Sequence, residues 1–188
     1  GANVNYDGFI HYSPDLGLVN TPLYYAIHNY NDNMIEYLLK NGSHINAAIS
    51  WHPNATSSRS ILSERISTSS MGIIKLMLKY RPVSEFSDSQ TSENGVTYNA
   101  VMLAAEKSPE ILKLFIAKGL DVNYKNEKSV TALYLACENN QIESVRILLK
   151  AGADINMKNH EGNTPLSIAK SKNYLEIAKL LVAAGARE

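Results

Sequence analysis

The sequence predicts an all-α solenoid of about five stacked helix-turn-helix units, with three elongated loops on its N-terminal side. Two observations carry that expectation. A short glycine-led motif recurs as GANVN (1–5), GSHIN (42–46), GLDVN (119–123) and GADIN (152–156), and the sequence closes on GARE (185–188). Gly119, Gly152 and Gly185 stand 33 residues apart, and each of them, like Gly42, follows an apolar stripe at helical spacing. A fixed period of this size marks units that bury their apolar faces only against their neighbours.

Each unit is read from its cap onward. Thr21, Ser60, Asn99, Thr131 and Thr164 open the first helix of a unit, because their side chains can accept hydrogen bonds from free backbone amides. Pro22 and Pro165 follow two of them, at the first helical position that proline favours. Two residues after each cap comes an apolar side chain: Leu23, Leu62, Val101, Leu133 and Leu166. Five residues after it comes a small one at Ala26, Ala104, Ala136 and Ala169, which lets paired helices approach closely.

The second helix of each unit shows offsets i, i+3, i+4 in Ile35/Leu38/Leu39, Ile74/Met77/Leu78, Leu112/Phe115/Ile116, Val145/Leu148/Leu149 and Ala178/Leu181/Val182. That spacing lines one face of a helix. Glycine then ends it by taking positive φ without steric cost. Helix pairs are expected at about 21–46, 60–85, 99–123, 131–156 and 164–188, within a single domain over 1–188. GANVN (1–5) is expected to be the tail of a preceding unit.

The second unit departs from this pattern. By register Glu64 and Arg65 fall where Leu135 and Ala136 fall in the fourth, and Arg81-Pro82 replaces the closing glycine. A buried arginine needs a partner or a rearranged helix, so either a rotated helix turns this pair outward, which is the expectation, or the register of this unit is shifted by a residue or more; the unit is expected to be the weak joint.

The stretches TPLYYAI (21–27), TALYLAC (131–137) and TPLSIAK (164–170), closed by GADIN-type tails, resemble the ankyrin repeat in its T-P-L-H-x-A motif and 33-residue period. The resemblance extends over nearly the whole chain; it is most specific over 124–188 and weakest over 60–85. It implies a β-turn finger between each tail and the next cap, and a partner protein gripped by the inner helices and finger tips. Carried over by register, the inner-helix candidates are His28 and Asn29, Glu106 and Lys107, Glu138 and Asn139, and Ser171 and Lys172. On the fingers they are Glu127, Lys128 and Val130, followed by His160, Glu161 and Asn163.

Finger length changes along the chain. Seven residues separate Asn123 from Thr131 and Asn156 from Thr164, whereas fifteen separate Asn5 from Thr21, thirteen Asn46 from Ser60, and thirteen Glu85 from Asn99. Long loops on one face of a stacked array extend its binding surface. The first two long fingers carry Tyr6, Phe9, Tyr12 and the sole tryptophan, Trp51, and large aromatic side chains dominate interface hot spots. Tyr12 and Trp51 are therefore the expected partner anchors. The same rings, on loops that must fold back, also suit packing within the fingers.

Composition narrows the function classes. Eighteen basic residues balance eighteen acidic ones, so no basic face argues for nucleic acid. No apolar run is long enough to span a membrane. Cys137, the lone cysteine, excludes an intramolecular disulfide framework and suits a reducing compartment. A cytoplasmic monomer is expected. Abundant asparagine, lysine, isoleucine and tyrosine fit AT-rich coding in a host-associated bacterium or virus, with delivery into a host cell. No nucleophile, zinc, redox or phosphate-loop motif is present, so no enzyme and no cofactor are expected. His11, His52 and His44 are too few to form a metal site. The expected role is a protein-protein interaction module that binds through its concave face and long N-terminal fingers. The alternative is a structural spacer or scaffold segment of a larger protein whose activity lies elsewhere.

Overall fold

A computed structural model of the chain describes residues 21–45, 48–49, 59–68, 70–87, 90–91 and 96–187. The first pair is α1 (Pro22–His28) and α2 (Asp32–Lys40), followed by β1 (Ala48–Ile49) and β2 (Arg59–Ser60). The second pair is α3 (Ile61–Ser67) and α4 (Met71–Tyr80), with a short α5 (Ser84–Ser87), β3 (Gln90–Thr91) and β4 (Thr97–Tyr98) after it. The third is α6 (Ala100–Lys107) and α7 (Pro109–Ala117), the fourth α8 (Ala132–Glu138) and α9 (Ile142–Lys150), the fifth α10 (Pro165–Ser171) and α11 (Leu175–Ala183). The inner helices α3, α6, α8 and α10 pack side by side in that order, and the outer helices pair as α2 with α4, α7 with α9, and α9 with α11. This is an all-α solenoid.

Caps fall where the sequence places them. Thr21 accepts from the Tyr24 amide at 3.3 Å, Asn99 from Met102 at 2.9 Å, Thr131 from Tyr134 at 3.2 Å and Thr164 from Ser167 at 3.1 Å. Ser167 returns a bond by accepting from the Thr164 amide at 2.8 Å, which closes a capping box. Ser60 differs: it ends β2, whose residues pair antiparallel with β1 in the register Ala48 opposite Ser60. β3 and β4 form a second such pair, Gln90 opposite Tyr98.

One apolar core runs through all five pairs. Leu23, Leu62, Val101, Leu133 and Leu166 are all buried, as are Ala26, Ala104, Ala136 and Ala169. Gly42, Gly119, Gly152 and Gly185 end their helices at φ 94°, 83°, 82° and 97°. The turn after Gly152 shows why: the Gly152 amide donates to Leu149 and the Ala153 amide to Leu148, closing carbonyls that the helix leaves open.

The second pair corrects the expectation of a rotated helix. Leu62 and Ile66 of α3 are fully buried, so the helix keeps the orientation of its neighbours. The Leu62 amide also donates to the Ile45 carbonyl at 3.0 Å, which locks α3 to the preceding tail. Arg65 is half-buried at the alanine position, and the side chain of Glu64 lies outside the described residues. α4 ends without glycine at Arg81, whose backbone is extended at φ −113°. The Arg81 guanidinium donates to the Glu85 carboxylate one turn on, and both side chains are largely buried. That clasp sets up α5, which inserts Phe86 against Phe115 with ring centroids 5.7 Å apart. Phe86, which the sequence assigns to a long finger, is a fully buried core residue.

Candidate functional site

The inner helices set the geometry of the concave side. Positions three and seven after each cap lie on one helix face, and the residue before the cap leads into that column from the finger. They read Tyr98, Met102, Glu106 in the third pair, Val130, Tyr134, Glu138 in the fourth and Asn163, Ser167, Ser171 in the fifth. In the first pair the column includes Tyr24 and His28, whose rings stack at 4.2 Å with the Tyr24 hydroxyl 3.2 Å from His28 Nε2.

The last two fingers are built by one asparagine each. Asn126 Oδ1 accepts from the amides of Lys128 (3.1 Å) and Val130 (2.9 Å), and Asn159 Oδ1 from those of Glu161 (3.0 Å) and Asn163 (2.9 Å). Each finger turns through a left-handed residue, Ser129 at φ 54° and Gly162 at φ 81°. Successive fingers are bonded together: the His160 amide donates to the Lys128 carbonyl at 3.0 Å, and Asn126 Nδ2 donates to the Thr97 carbonyl at 3.2 Å. The tails are joined in the same way, Asn123 Oδ1 accepting from the Asp154 amide and Asn156 Oδ1 from that of Arg187.

This geometry separates the candidate residues by what they touch. Glu127 accepts from the Thr97 amide and hydroxyl, which pulls its carboxyl below the ordinary value and ties two fingers together. Asn29 and Asn139 donate to the carbonyls of Tyr25 and Leu135, closing α1 and α8. Glu106 and Lys107 form an ion pair at the end of α6. Lys172 Nζ donates to the Glu138 carbonyl at 3.1 Å and stands 3.9 Å from its carboxylate. His28, Lys128, His160 and Glu161 are exposed. Tyr12 and Trp51 lie outside the described residues.

Two tyrosines that the sequence does not single out complete this face. Burial, then Glu106 and Glu138, push the Tyr98 phenol up; burial, then Glu138 and Glu161, do the same to Tyr134. Tyr134 is only 6% exposed, yet its hydroxyl has no hydrogen-bond partner among the described residues. The signal was its place four residues before Glu138, but an aromatic ring at helical spacing reads equally well as core. Large apolar groups are also exposed on the first pair, at Tyr25, Tyr30, Met34 and Tyr37. Met34 occupies the register of Ile111 and Ile177, which are buried.

Among the described residues no three histidine, cysteine, aspartate or glutamate side chains stand together in a way that could hold a metal ion. None of their helices is long and apolar enough to cross a membrane. The chain matches family models described as ankyrin repeats (3 copies), over residues 66–159 and 101–187, and as ankyrin repeat over residues 20–49. It is also similar to the nuclear factor NF-kappa-B p105 subunit of Gallus gallus, at 34% identity over 142 residues. The aligned region is 74% of this chain and 13% of that protein.

Proposed function

Since the chain belongs to the ankyrin-repeat family, whose members are generally protein-protein interaction modules, we propose that it binds a partner protein on its concave face. The surface runs from the inner-helix ends at His28, Glu106 and Glu138 to the finger tips at Lys128, His160 and Glu161, and includes the long N-terminal fingers that carry Tyr12 and Trp51. The observation that carries this reading is the consecutive alignment of polar, outward side chains seven and eight residues after each cap, mounted on helices whose opposite faces are fully packed. Such a surface presents rigid contacts at little ordering cost. The reading makes residues 1–188 one array and a binding module, not an enzyme, acting as a cytoplasmic monomer without metal, cofactor or nucleic acid.

Affinity capture from a lysate of the source cells, with cross-links mapped by mass spectrometry, tests it. Glu138→Ala with Lys172→Ala disables the regular face, and Tyr12→Ala with Trp51→Ala disables the long fingers. A true anchor loses about 2 kcal/mol or more of affinity on truncation. Cross-links confined to the outer helices, with neither pair of changes affecting capture, would reject the reading and favour a spacer.

A further inference from the structure

We propose that the concave face of the third and fourth helix pairs seats one cationic side chain of the partner protein, an arginine or lysine, between Tyr98 and Tyr134, with the Glu138 carboxylate as its counter-charge. The inference rests on the protein-binding reading and specifies its chemistry. Tyr134 and Glu138 lie one turn apart on the same face of α8, and Tyr98 precedes α6, the inner helix packed against α8. In the first pair the equivalent tyrosine directs its hydroxyl to the side chain one turn on, His28. The Tyr134 ring is buried, while its hydroxyl bonds to none of the described residues and stays open to solvent at the face.

The surrounding charge selects the occupant. Glu138 acts on both phenols, Glu106 on Tyr98 and Glu161 on Tyr134, while the residues in register with Glu138 in the second and fifth pairs are the neutral Ser67 and Ser171. Acidic side chains therefore gather at the middle of the face, with Lys107 and Lys172 beside two of them. Lys107 engages Glu106, and Lys172 bonds the backbone oxygen of Glu138 and pairs with its carboxylate at 3.9 Å, beyond hydrogen-bond reach, so the partly exposed carboxylate oxygens can still accept from a second cation. An anionic side chain would meet three carboxylates, and an apolar one would leave the phenol hydroxyls unpaired. A guanidinium or ammonium group satisfies both demands, by stacking on a tyrosine ring and donating to the carboxylate and phenol oxygens.

The test uses the intact chain and peptides selected from a random display library. Binding faces are mapped by amide chemical-shift changes, and affinities are measured with each selected arginine replaced by citrulline, its neutral isostere, or each lysine by norleucine. Peptides that perturb residues 98–106 and 134–138 are expected to share one arginine or lysine, and its neutral replacement to weaken binding by about fivefold or more. Glu138→Gln and Tyr134→Phe should erase that discrimination, and Glu176→Gln on α11 should leave it intact. Concave-face peptides that bind equally well after neutral replacement would overturn the inference and leave the protein-binding reading standing. Failure to select any peptide, or peptides that map only to the outer helices, would reject both.

Discussion

The second and fourth helix pairs perform the same task with different endings. In both, the inner-helix leucine (Leu62, Leu133) and the outer-helix residues (Ile74 and Met77, Val145 and Leu148) are fully buried. They part at their termini: α9 stops on Gly152 in the left-handed region, whereas α4 stops on extended Arg81, clasped to Glu85 and followed by Phe86 in the core. Where a helix belongs is set by its apolar column, and how it ends is open to several solutions that satisfy the last carbonyls. The solution with Arg81 depends on residues further along the chain.

The largest test of this comparison truncates the shared column. Leu133→Ala and Leu62→Ala should each cost about 2–5 kcal/mol, with Leu133 the larger because the fourth pair carries the buried Ala136 where the second carries the half-buried Arg65. Urea midpoints decide it. A greater loss at Leu62 would show the second pair to be the better packed of the two. Hydrogen exchange should in turn show 61–80 opening before 131–151, since stability in a stack is a sum over neighbours.

Next come the endings. Gly152→Ala meets no atom within 4 Å, so its cost is conformational alone, about 1–2 kcal/mol for a side chain held at positive φ. Ser144 tests the regular pair in the opposite direction. It is fully buried in α9 with its hydroxyl sealed from solvent and unbonded, at the position where α7 and α11 carry Ile111 and Ile177. Ser144→Ala should therefore stabilise the protein by about 1 kcal/mol in thermal or urea unfolding. Gly72, early in α4 with open space around it, has positive φ nowhere in its favour, and Gly72→Ala should add roughly 0.5–1 kcal/mol to the second pair. If both gains appear, the two pairs carry comparable defects in different places.

The smallest effect is electrostatic. Glu36 on α2 accepts from Tyr80 and Lys79 on α4, and these bonds hold its carboxyl below the ordinary 4.5. A carboxyl lowered in the folded state contributes stability above its unfolded value, and that contribution fades as the pH falls through the folded value. Stability at this junction should thus decline below about pH 4.5, and Glu36→Gln should flatten the acid limb of the unfolding curve. Salt should weaken the effect, because the pair is exposed.

The period of the sequence made the columns, caps and glycine stops readable, because those features recur at fixed offsets and need only local partners. Asn126 and Asn159 were equally periodic, and their role in shaping the fingers could have been read from the shared N-x-x-S and N-x-x-G spacing. Phe86 could not, since its burial depends on Phe115 in another unit. Tyr134 was legible as a buried ring but not as a ring with an open hydroxyl, which requires knowing that none of the described residues bonds to it. Glu127, Asn29 and Asn139 stand where the register puts them, but their side chains are committed to Thr97, Tyr25 and Leu135.

Cys137 lies fully buried on α8, and desolvation pushes its thiol up to about 12. Alkylating reagents attack the thiolate, so the folded protein is protected from them twice, by occlusion and by protonation. Because the sequence contains one cysteine, each molecule carries one such group, placed in the most regular stretch of the stack. The rate of its modification under native conditions is then a stopwatch for the opening of α8, readable by mass without adding a dye or altering a residue. Run alongside partner binding, the same stopwatch would time how far an occupied concave surface slows the breathing of the helix behind it.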